Sequence, residues 1–261
     1  MQVESSAQVA EQLAATGYLC DESLATVVFL AGRMQRPLLL EGEPGTGKTA
    51  LAEALAQVAG VPLLRLQCYE GIDASQALYD WDFPRQVLHL RALEAAGGLG
   101  GQGVEEAEKS LYDERFLLAR PVLAALQQAP AVLLVDEVDR ADDEFEAFLL
   151  EVLSTYQVSI PELGTVRAAE PPLVVLTSNR TRELHDALKR RCLYHWVDHP
   201  GLEREVEIVG VAETLDWAQA LHHLGCAELD LETAARTLGA LVKYREDADR
   251  VKHALDRLLT S

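Results

Sequence analysis

The hydrophobic pattern of the chain is dominated by short apolar runs that show no polar alternation. They occupy residues 37–40, 131–135 and 173–177, and a related run with one arginine occupies 62–66. Runs that are apolar on both faces are typical of strands inside a parallel sheet, where helices cover both sides. A strand–helix–strand unit is predicted from run 37–40, the helix-forming segment after it and run 62–66. Its crossover is expected to be right-handed. The pattern therefore predicts an α/β domain built on a parallel sheet.

Apolar residues at helical spacing predict the helices that flank this sheet. The clearest stripe runs from Phe145 to Leu153, and either Asp142 or Asp143 can cap the helix that carries it. The other helices predicted for the core are two within residues 5–34, one that begins near Lys48, one at 120–128 and one at 182–191. Residues 156–160 and 165–168 instead predict a β-hairpin, joined through Pro161-Glu162-Leu163-Gly164.

The composition becomes helical throughout after residue 200. Candidate helices in this part are residues 203–209, 211–224, 230–242 and 247–259. We therefore expect two domains, an α/β core over residues 1–200 and a small all-helical lid over residues 201–261.

Composition and charge narrow the possible functions. The chain has 261 residues, of which 49% are apolar, enough for a sizeable core, and a net charge of −19. This charge argues against a nucleic-acid surface, because phosphate backbones require lysine and arginine. We expect neither a secretory signal nor a membrane span, and the four widely spaced cysteines are expected to be reduced thiols of a cytoplasmic protein.

A complete phosphate-binding motif follows the first predicted strand and opens a predicted helix. Glycines allow the backbone to fold around an anion, and the start of the helix adds a favourable dipole. In such a loop Lys48 reaches the outer phosphates and the Thr49 hydroxyl is a ligand of Mg²⁺. The nucleotide-binding residues predicted from this motif are Gly42, Glu43, Pro44, Gly45, Thr46, Gly47, Lys48, Thr49 and Ala50. The alternative is a glycine loop without function between a strand and a helix.

Two adjacent acids, Asp136 and Glu137, end the apolar run 131–135. This is where a P-loop ATPase carries its second acidic motif. Asp136 is expected to hold Mg²⁺ with Thr49, directly or through water. Glu137 is expected to orient and deprotonate the attacking water. The alternative role of Asp136 is that of a helix cap.

Further polar residues complete the predicted site. Asn179 follows the run 173–177, where its amide can contact the γ-phosphate or the attacking water; a turn-forming asparagine is the alternative. Arg190 and Arg191 end the helix predicted at 182–191, where cations suit the helix dipole. Either can instead serve as an arginine finger across a subunit interface. Tyr18, upstream of the motif, either contacts the nucleotide base or packs in the core.

Five longer phrases of the sequence give a resemblance to a known family. They are LLLEGEPGTGKTALAEALA, ALYDWDFPRQVLHLRAL, LLVDEVDRADDEFEAFLLE, LTSNRTRELHDALKRRCLYHWVDHP and GVAETLDWAQAL. With these phrases in this order, the chain resembles AAA+ ATPases of the MoxR group, most closely the CoxD-type branch, over nearly all of residues 17–255.

The resemblance implies a mixed α/β core with a parallel sheet, a helical lid, and ATP with Mg²⁺ bound between neighbours in a ring of about six subunits. It assigns catalysis to Lys48, Glu137 and Asn179, and it favours Arg191 over Arg190 as the finger. Relatives of this kind are chaperone-like remodellers that assist metal-cofactor maturation or assembly of a client protein. They commonly act with a partner that bears a von Willebrand factor A domain.

Two departures from this resemblance concern the lid. The family usually carries more helical sequence before the segment that matches Gly210–Trp217, so either the lid is shortened or residues are missing from this sequence. AAA+ lids often place an arginine on the nucleotide near the position where this chain has Glu213-Thr214, and Arg236 and Arg245 are only weak substitutes. Two alternative functions therefore stay open, a nucleotide-gated scaffold with weak turnover and, disfavoured by charge, a DNA-associated ATPase.

Overall fold

The computed structural model describes residues 3–95, 110–198, 211–224, 226 and 231–241. The chain divides into two compact units, one comprising Met1–Glu41 with Thr49–His195 and the other Gly42–Lys48 with Trp196–Ser261. The first unit contains the predicted α/β core, and the glycine-rich loop groups with the second unit.

A five-stranded sheet forms the centre of the fold. Its strands are β1 (Leu38–Glu41), β2 (Leu63–Gln67), β5 (Val132–Asp136), β8 (Leu173–Ser178) and β9 (Leu193–Trp196), in the order β2-β5-β8-β1-β9. The pairs β2–β5, β5–β8 and β8–β1 are parallel, which confirms the predicted parallel sheet. Every residue of β1 and β5 is buried, as their unbroken apolar runs predict. Because parallel strands end at the same edge, this topology brings the polar residues after β5 and β8 together.

Helices cover this sheet as expected. They are α1 (Ser6–Ala15), α2 (Glu22–Met34), α3 (Lys48–Ala59), α4 (Ala74–Leu78), α5 (Phe83–Ala95), α6 (Pro121–Gln127), α7 (Asp143–Thr155) and α8 (Asp186–Arg191). Of the two candidate caps of α7, Asp142 is the one used, since its carboxylate accepts a hydrogen bond from the Phe145 N–H at 2.9 Å. One face of α7 packs into the core through Phe145, Leu149 and Leu153, all at most 2% exposed.

Two antiparallel strand pairs lie outside the main sheet. The predicted hairpin is present as β6 (Gln157–Ile160) and β7 (Gly164–Arg167). The second pair, β3 (Tyr79–Trp81) with β4 (Leu117–Ala119), was not predicted, because each strand has only three residues.

The structure corrects one prediction near the candidate finger. The helix predicted at 182–191 spans only Asp186–Arg191. Residues 182–185 form a loop instead, since the Arg182 guanidinium and the His185 N–H both bond to the buried Glu146 carboxylate on α7. Short 3₁₀ turns at Glu114–Phe116 and Val138–Arg140 and the strand β9 are further elements that the hydrophobic pattern did not reveal.

The second unit contains α9 (Val211–His223) and α10 (Leu231–Leu241). Both coincide with helices predicted for the lid. The Trp217 indole N–H donates to the Thr237 hydroxyl at 2.7 Å and so joins the two helices, while Ala234 and Leu238 are buried. The helices predicted at 203–209 and 247–259 lie outside the described residues.

Among the residues that the structure describes, no helix is both long and apolar enough to cross a bilayer.

We expect Leu134→Ala to destabilise the core by about 2–5 kcal/mol, because Leu134 is completely buried in the interior strand β5 and its loss leaves a cavity. Leu118→Ala is the matched control, since Leu118 is 45% exposed on β4, and it should change stability by no more than about 0.5 kcal/mol. The midpoint of urea unfolding measures both effects. Equal losses in the two variants would contradict the burial assigned to β5.

Candidate functional site

The loop between β1 and α3 has the backbone of a phosphate-binding loop. Gly45 and Gly47 adopt positive φ values of 81° and 88°, which side-chain-bearing residues rarely reach. The Lys48 ammonium donates to the carbonyl oxygens of Gly42 at 2.8 Å and Glu43 at 2.7 Å, so the loop folds around it. Lys48 is 6% exposed and begins α3, where the positive end of a helix favours an anion.

The remaining motif residues are placed as follows. Thr46 is buried, and its hydroxyl donates to the Glu43 carbonyl oxygen at 3.0 Å, which closes the loop. Glu43 and Pro44 are exposed, as is Ala50 in the first turn of α3. Thr49, the residue after Lys48, belongs to the first compact unit together with both predicted acids.

Asp136 is the centre of the polar cluster at the end of β5. It is 3% exposed. Its Oδ1 accepts from the hydroxyls of Thr49 at 3.1 Å and Thr177 at 2.6 Å, and its Oδ2 accepts from Arg65 Nη2 at 2.5 Å. A buried carboxylate needs such partners, because an unpaired charge in the interior is very costly. The structure therefore brings the predicted metal ligands Thr49 and Asp136 together, and it adds Thr177 and Arg65.

Glu137 has a different environment from its neighbour. Its backbone is left-handed, with φ of 54°, and its side chain is 28% exposed. Its carboxylate accepts from Asn179 Nδ2 at 3.2 Å and from Gln67 Nε2 at 3.0 Å, and it pairs with Arg140 Nε at 3.0 Å. The structure thus brings the predicted residues Glu137 and Asn179 into contact.

Asp139 fixes the loop that carries Asn179. This acid is 2% exposed, and its carboxylate accepts from the Asn179 N–H at 3.2 Å, the Thr181 N–H at 2.8 Å and the Thr181 hydroxyl at 2.7 Å. Bonds from backbone amides to a buried carboxylate are charge-assisted and hold the chain in one conformation. Asp139 therefore sets where Asn179 leaves β8.

The two candidate finger residues lie at the end of α8 in different environments. The Arg191 guanidinium is partly buried and donates to the Ser154 carbonyl oxygen at 2.7 Å. Arg190 is exposed, and its side chain has no hydrogen-bond or ion-pair partner among the described residues. Neither arginine contacts Asp136, Glu137 or Asn179 within the described part of the chain.

Four residues of this cluster were not predicted from the sequence: Arg65, Gln67, Asp139 and Thr177. Arg65 and Gln67 are two residues apart on the edge strand β2, so their side chains lie on the same face of the sheet. These two polar positions, in run 62–66 and just after it, could have indicated that β2 contributes to the site. Thr177 was treated as the end of a buried strand, although a buried hydroxyl at a strand end indicates a hydrogen-bond partner.

Two other candidate residues have surroundings that limit their chemistry. Burial raises the pKa of the Cys68 thiol to about 12, with the negative charge of Asp136 as a smaller cause, so Cys68 is not a nucleophile at neutral pH. All four cysteines are free. Burial likewise raises the pKa of Tyr18 to about 12, while the adjacent Leu19 is 85% exposed and does not pack in the core.

The donor set fits a magnesium nucleotide. Thr49 and Asp136 supply oxygen atoms, which Mg²⁺ prefers, and in nucleotide sites one or two protein groups and the phosphates complete its shell. Among the described residues, no group of three or more His, Cys, Asp or Glu side chains is arranged to hold a metal ion by itself.

Comparison with known proteins agrees with this geometry. Residues 37–192 match the model of the AAA domain of the dynein-related subfamily. The chain is 36% identical over 117 residues to midasin of Giardia intestinalis, covering 40% of this chain and 2% of midasin. It is 29% identical over 195 residues to the ATP-dependent zinc metalloprotease FtsH of Methylococcus capsulatus, covering 69% of this chain and 24% of FtsH. The chain thus spans less than two thirds of these relatives.

The crystal structure of an ATPase from Cytophaga hutchinsonii is 17% identical in sequence to this chain. The superposition covers 86% of this chain and 58% of that one, and its TM-score of 0.44 is too low to support a functional inference. The family assignment rests on the domain model, which matches more than half of the chain and includes four of the five strands of the main sheet, Lys48, both acids and Asn179. The chain therefore belongs to the AAA ATPase family, in its dynein-related subfamily.

Proposed function

We propose that this protein is an ATP-hydrolysing remodeller of the MoxR type that works as a ring, assisting maturation or assembly of a client protein. The observation that carries the proposal is the cluster at the strand ends, where Asp136 contacts Thr49 and the adjacent Glu137 contacts Asn179. This arrangement separates a metal-binding acid from an acid that can act on water.

In the proposed site, the glycine-rich loop and Lys48 bind the phosphates of ATP. Thr49 follows Lys48 directly in the chain, so phosphate binding and the Asp136 cluster are joined by one peptide bond. Thr49 and Asp136 would hold Mg²⁺, which when bound neutralises charge on the phosphates. Thr177 and Arg65 bond to the Asp136 carboxylate and fix its orientation.

Glu137 is the proposed general base. Its carboxylate accepts a proton from the attacking water, while Asn179, held by Asp139, positions the same water or the γ-phosphate. The contacts of Glu137 with Gln67 and Arg140 occupy one carboxylate oxygen, Oε2, and the Asn179 contact lies on the other. The base is therefore held in place at the end of β5.

A neighbouring subunit supplies the arginine finger in this proposal. We assign the finger to Arg191, as the resemblance favours, with Arg190 as the rival. Arg191 must exchange its single bond to the Ser154 carbonyl for a phosphate, and a typical hydrogen bond contributes only about 1 kcal/mol net. Membership in the AAA family supports a ring, and about six subunits are proposed.

The client and partner follow only from the MoxR resemblance. We propose a partner that bears a von Willebrand factor A domain and a client whose maturation involves metal-cofactor insertion. The helical lid over residues 201–261 is part of this proposal. Co-purification from the native host, with partners identified by mass spectrometry, tests it directly.

A nucleotide-gated scaffold with weak turnover is the second candidate. The contacts of Glu137 with Gln67 and Arg140 favour it, because a base that is tied to an amide and a guanidinium is less free to accept a proton. A steady-state ATPase assay with and without partner separates the two functions, since a remodeller is expected to turn over faster when its partner is present.

Lys48→Ala is expected to abolish or severely weaken ATP binding, because the phosphates lose their direct cationic partner. Arg91→Ala is the control, since it removes an exposed cation from α5. Titration with a fluorescent ATP analogue measures the affinity of both. Unchanged affinity in Lys48→Ala would refute the role of this loop.

Glu137→Gln is expected to bind ATP and to hydrolyse it at least ~100-fold more slowly, the usual effect of losing a general base. Gln cannot accept the proton but keeps the size of the side chain. Glu144→Gln, an exposed acid in the first turn of α7, is the matched control and should turn over normally. Single-turnover assays supply the rates, and a normal rate in Glu137→Gln removes this residue from the mechanism.

Arg191→Ala is expected to lower kcat by about 10³-fold while ATP binding survives, because a finger acts mainly in the transition state. Arg191→Lys should be nearly as impaired, since lysine lacks the planar fork. Arg191→Ala subunits mixed with Glu137→Gln subunits should regain activity, because each supplies the group that the other lacks.

The same mixing experiment with Arg190→Ala separates the two arginines. Adjacent helical residues point about 100° apart, so one of the pair faces the neighbouring subunit. If Arg190→Ala mixtures recover activity and Arg191→Ala mixtures do not, although mixed rings form, the finger is Arg190.

A further inference from the structure

Arg36 binds the carbonyl oxygens at the end of the helix that carries both candidate fingers. This arginine lies in the loop between α2 and β1, far from α8 in sequence. Its Nη2 donates to the carbonyl oxygens of Arg190 at 2.6 Å and Cys192 at 3.3 Å, and its Nε donates to that of Arg191 at 3.1 Å. The last carbonyls of a helix have no partners within the helix, and a cation there is favoured by the helix dipole.

The same loop also meets the end of α7. Gln35 adopts a left-handed conformation with φ of 51°, and its carbonyl oxygen accepts from the Tyr156 hydroxyl at 3.1 Å. Arg191 in turn donates to the Ser154 carbonyl at 2.7 Å. The C-terminal ends of α7 and α8 are therefore tied to one another and to residues 35–36.

The contact continues into the central sheet. The residue after Arg36, Pro37, accepts at its carbonyl oxygen from the Leu193 N–H at 2.8 Å. Two consecutive residues of the α2–β1 loop, Arg36 and Pro37, thus bond to the segment 190–193. Because α8 has only six residues, few bonds of its own hold its last turn, and these external bonds decide how that turn ends.

We propose that Arg36 is a positioning residue for the arginine finger: it fixes the last turn of α8 so that the Arg190–Arg191 pair projects correctly toward the neighbouring subunit. This inference rests on the proposed function, since it presupposes a finger that acts in trans. It holds whichever of the two arginines is the finger, because Arg36 binds the backbone of both. Arg36 itself does not touch the nucleotide.

The size of the effect follows from the geometry that catalysis requires. A displacement of a catalytic group by about 1 Å can cost about 10²-fold in rate. Without the guanidinium, the carbonyls of residues 190–192 turn to water and the last turn frays, which moves the side chains it carries. Arg36 also has the rigid planar fork that matches several acceptors at once, whereas lysine offers a single ammonium.

We expect Arg36→Gln to lower the ATPase kcat of the assembled protein by about 10–100-fold, with ATP affinity unchanged. Arg36→Lys, which keeps the charge at the helix end without the fork, should fall between Arg36→Gln and the wild type. Arg33→Gln, an exposed arginine in the last turn of α2, is the matched control and should behave as wild type. Fluorescent nucleotide titration and gel filtration check binding and assembly of each variant.

The ATPase activity of mixed rings distinguishes a positioning role of Arg36 from a merely structural one. Arg36→Gln subunits keep their own Lys48, Asp136 and Glu137, so Glu137→Gln subunits, which have an intact α8, should restore activity to them. A mixture of Arg36→Gln subunits with subunits that lack both finger arginines should stay inactive, because neither supplies a positioned finger.

The outcomes distinguish this inference from the proposed function. If removing both Arg190 and Arg191 leaves the wild-type rate, the trans finger itself is wrong. If that removal abolishes turnover while Arg36→Gln keeps the wild-type rate, or is not restored by Glu137→Gln subunits in rings shown to be mixed, the positioning role is overturned. Should Arg36→Gln fail to fold, Arg36→Lys must show the same mixing pattern at smaller amplitude, and wild-type behaviour in it overturns the inference equally.

Discussion

The candidate site depends on satisfying the hydrogen bonds of one buried carboxylate, Asp136, at the edge of a parallel sheet. Asp136 is almost completely removed from water, so its charge has to be met by hydrogen bonds and a cation. The carboxylate accepts hydrogen bonds from Thr49 at the start of α3, from Thr177 on β8 and from Arg65 on β2. Each partner belongs to a different element. Satisfying this one group therefore fixes the relative positions of the two strands that flank β5 and of α3, the helix that follows the glycine-rich loop.

The three acids that follow one another around the end of β5 show how environment divides one short acidic segment into roles. Asp136 faces inward and is held by Thr49, Thr177 and Arg65. Glu137, in a left-handed conformation, is partly exposed and faces Asn179. Asp139 is buried again and holds the backbone that follows β8. The left-handed residue costs about 1 kcal/mol or more, which this network of surrounding bonds offsets.

A second set of polar contacts holds the end of the core that carries Arg190 and Arg191. The buried Glu146 on α7 binds the loop before α8 through Arg182 and the His185 N–H. Arg36 binds the other end of α8. A buried ion pair contributes little net stability, but it restricts the conformations available to a short helix. Both ends of α8 are therefore held by residues from other elements, while the helix itself has only six residues.

Much of the fold could be predicted from the sequence, because the signals involved are local. Unbroken apolar runs identified β1, β5 and β8, helical spacing identified α7, and the glycine-rich motif between a strand and a helix identified Lys48 and Thr49 as candidate site residues. Asp136 and Glu137 followed from their place at the end of a buried strand downstream of a complete phosphate-binding motif, and Asn179 from its place after the apolar run 173–177. The three-residue strands β3 and β4 were missed, since so short a segment carries no periodicity.

Tertiary structure alone decided which distant residues complete the site. Arg65, Gln67 and Thr177 reach the two acids because β2 and β8 both neighbour β5, an adjacency that no local pattern encodes. Helix propensity predicted a helix over 182–191, but the bonds of Arg182 and His185 to Glu146 hold the first part as a loop. Packing likewise decided the surroundings of the two arginines at the end of α8. Arg191 bonds to a carbonyl oxygen and Arg190 is exposed to solvent, although the two are adjacent and chemically identical.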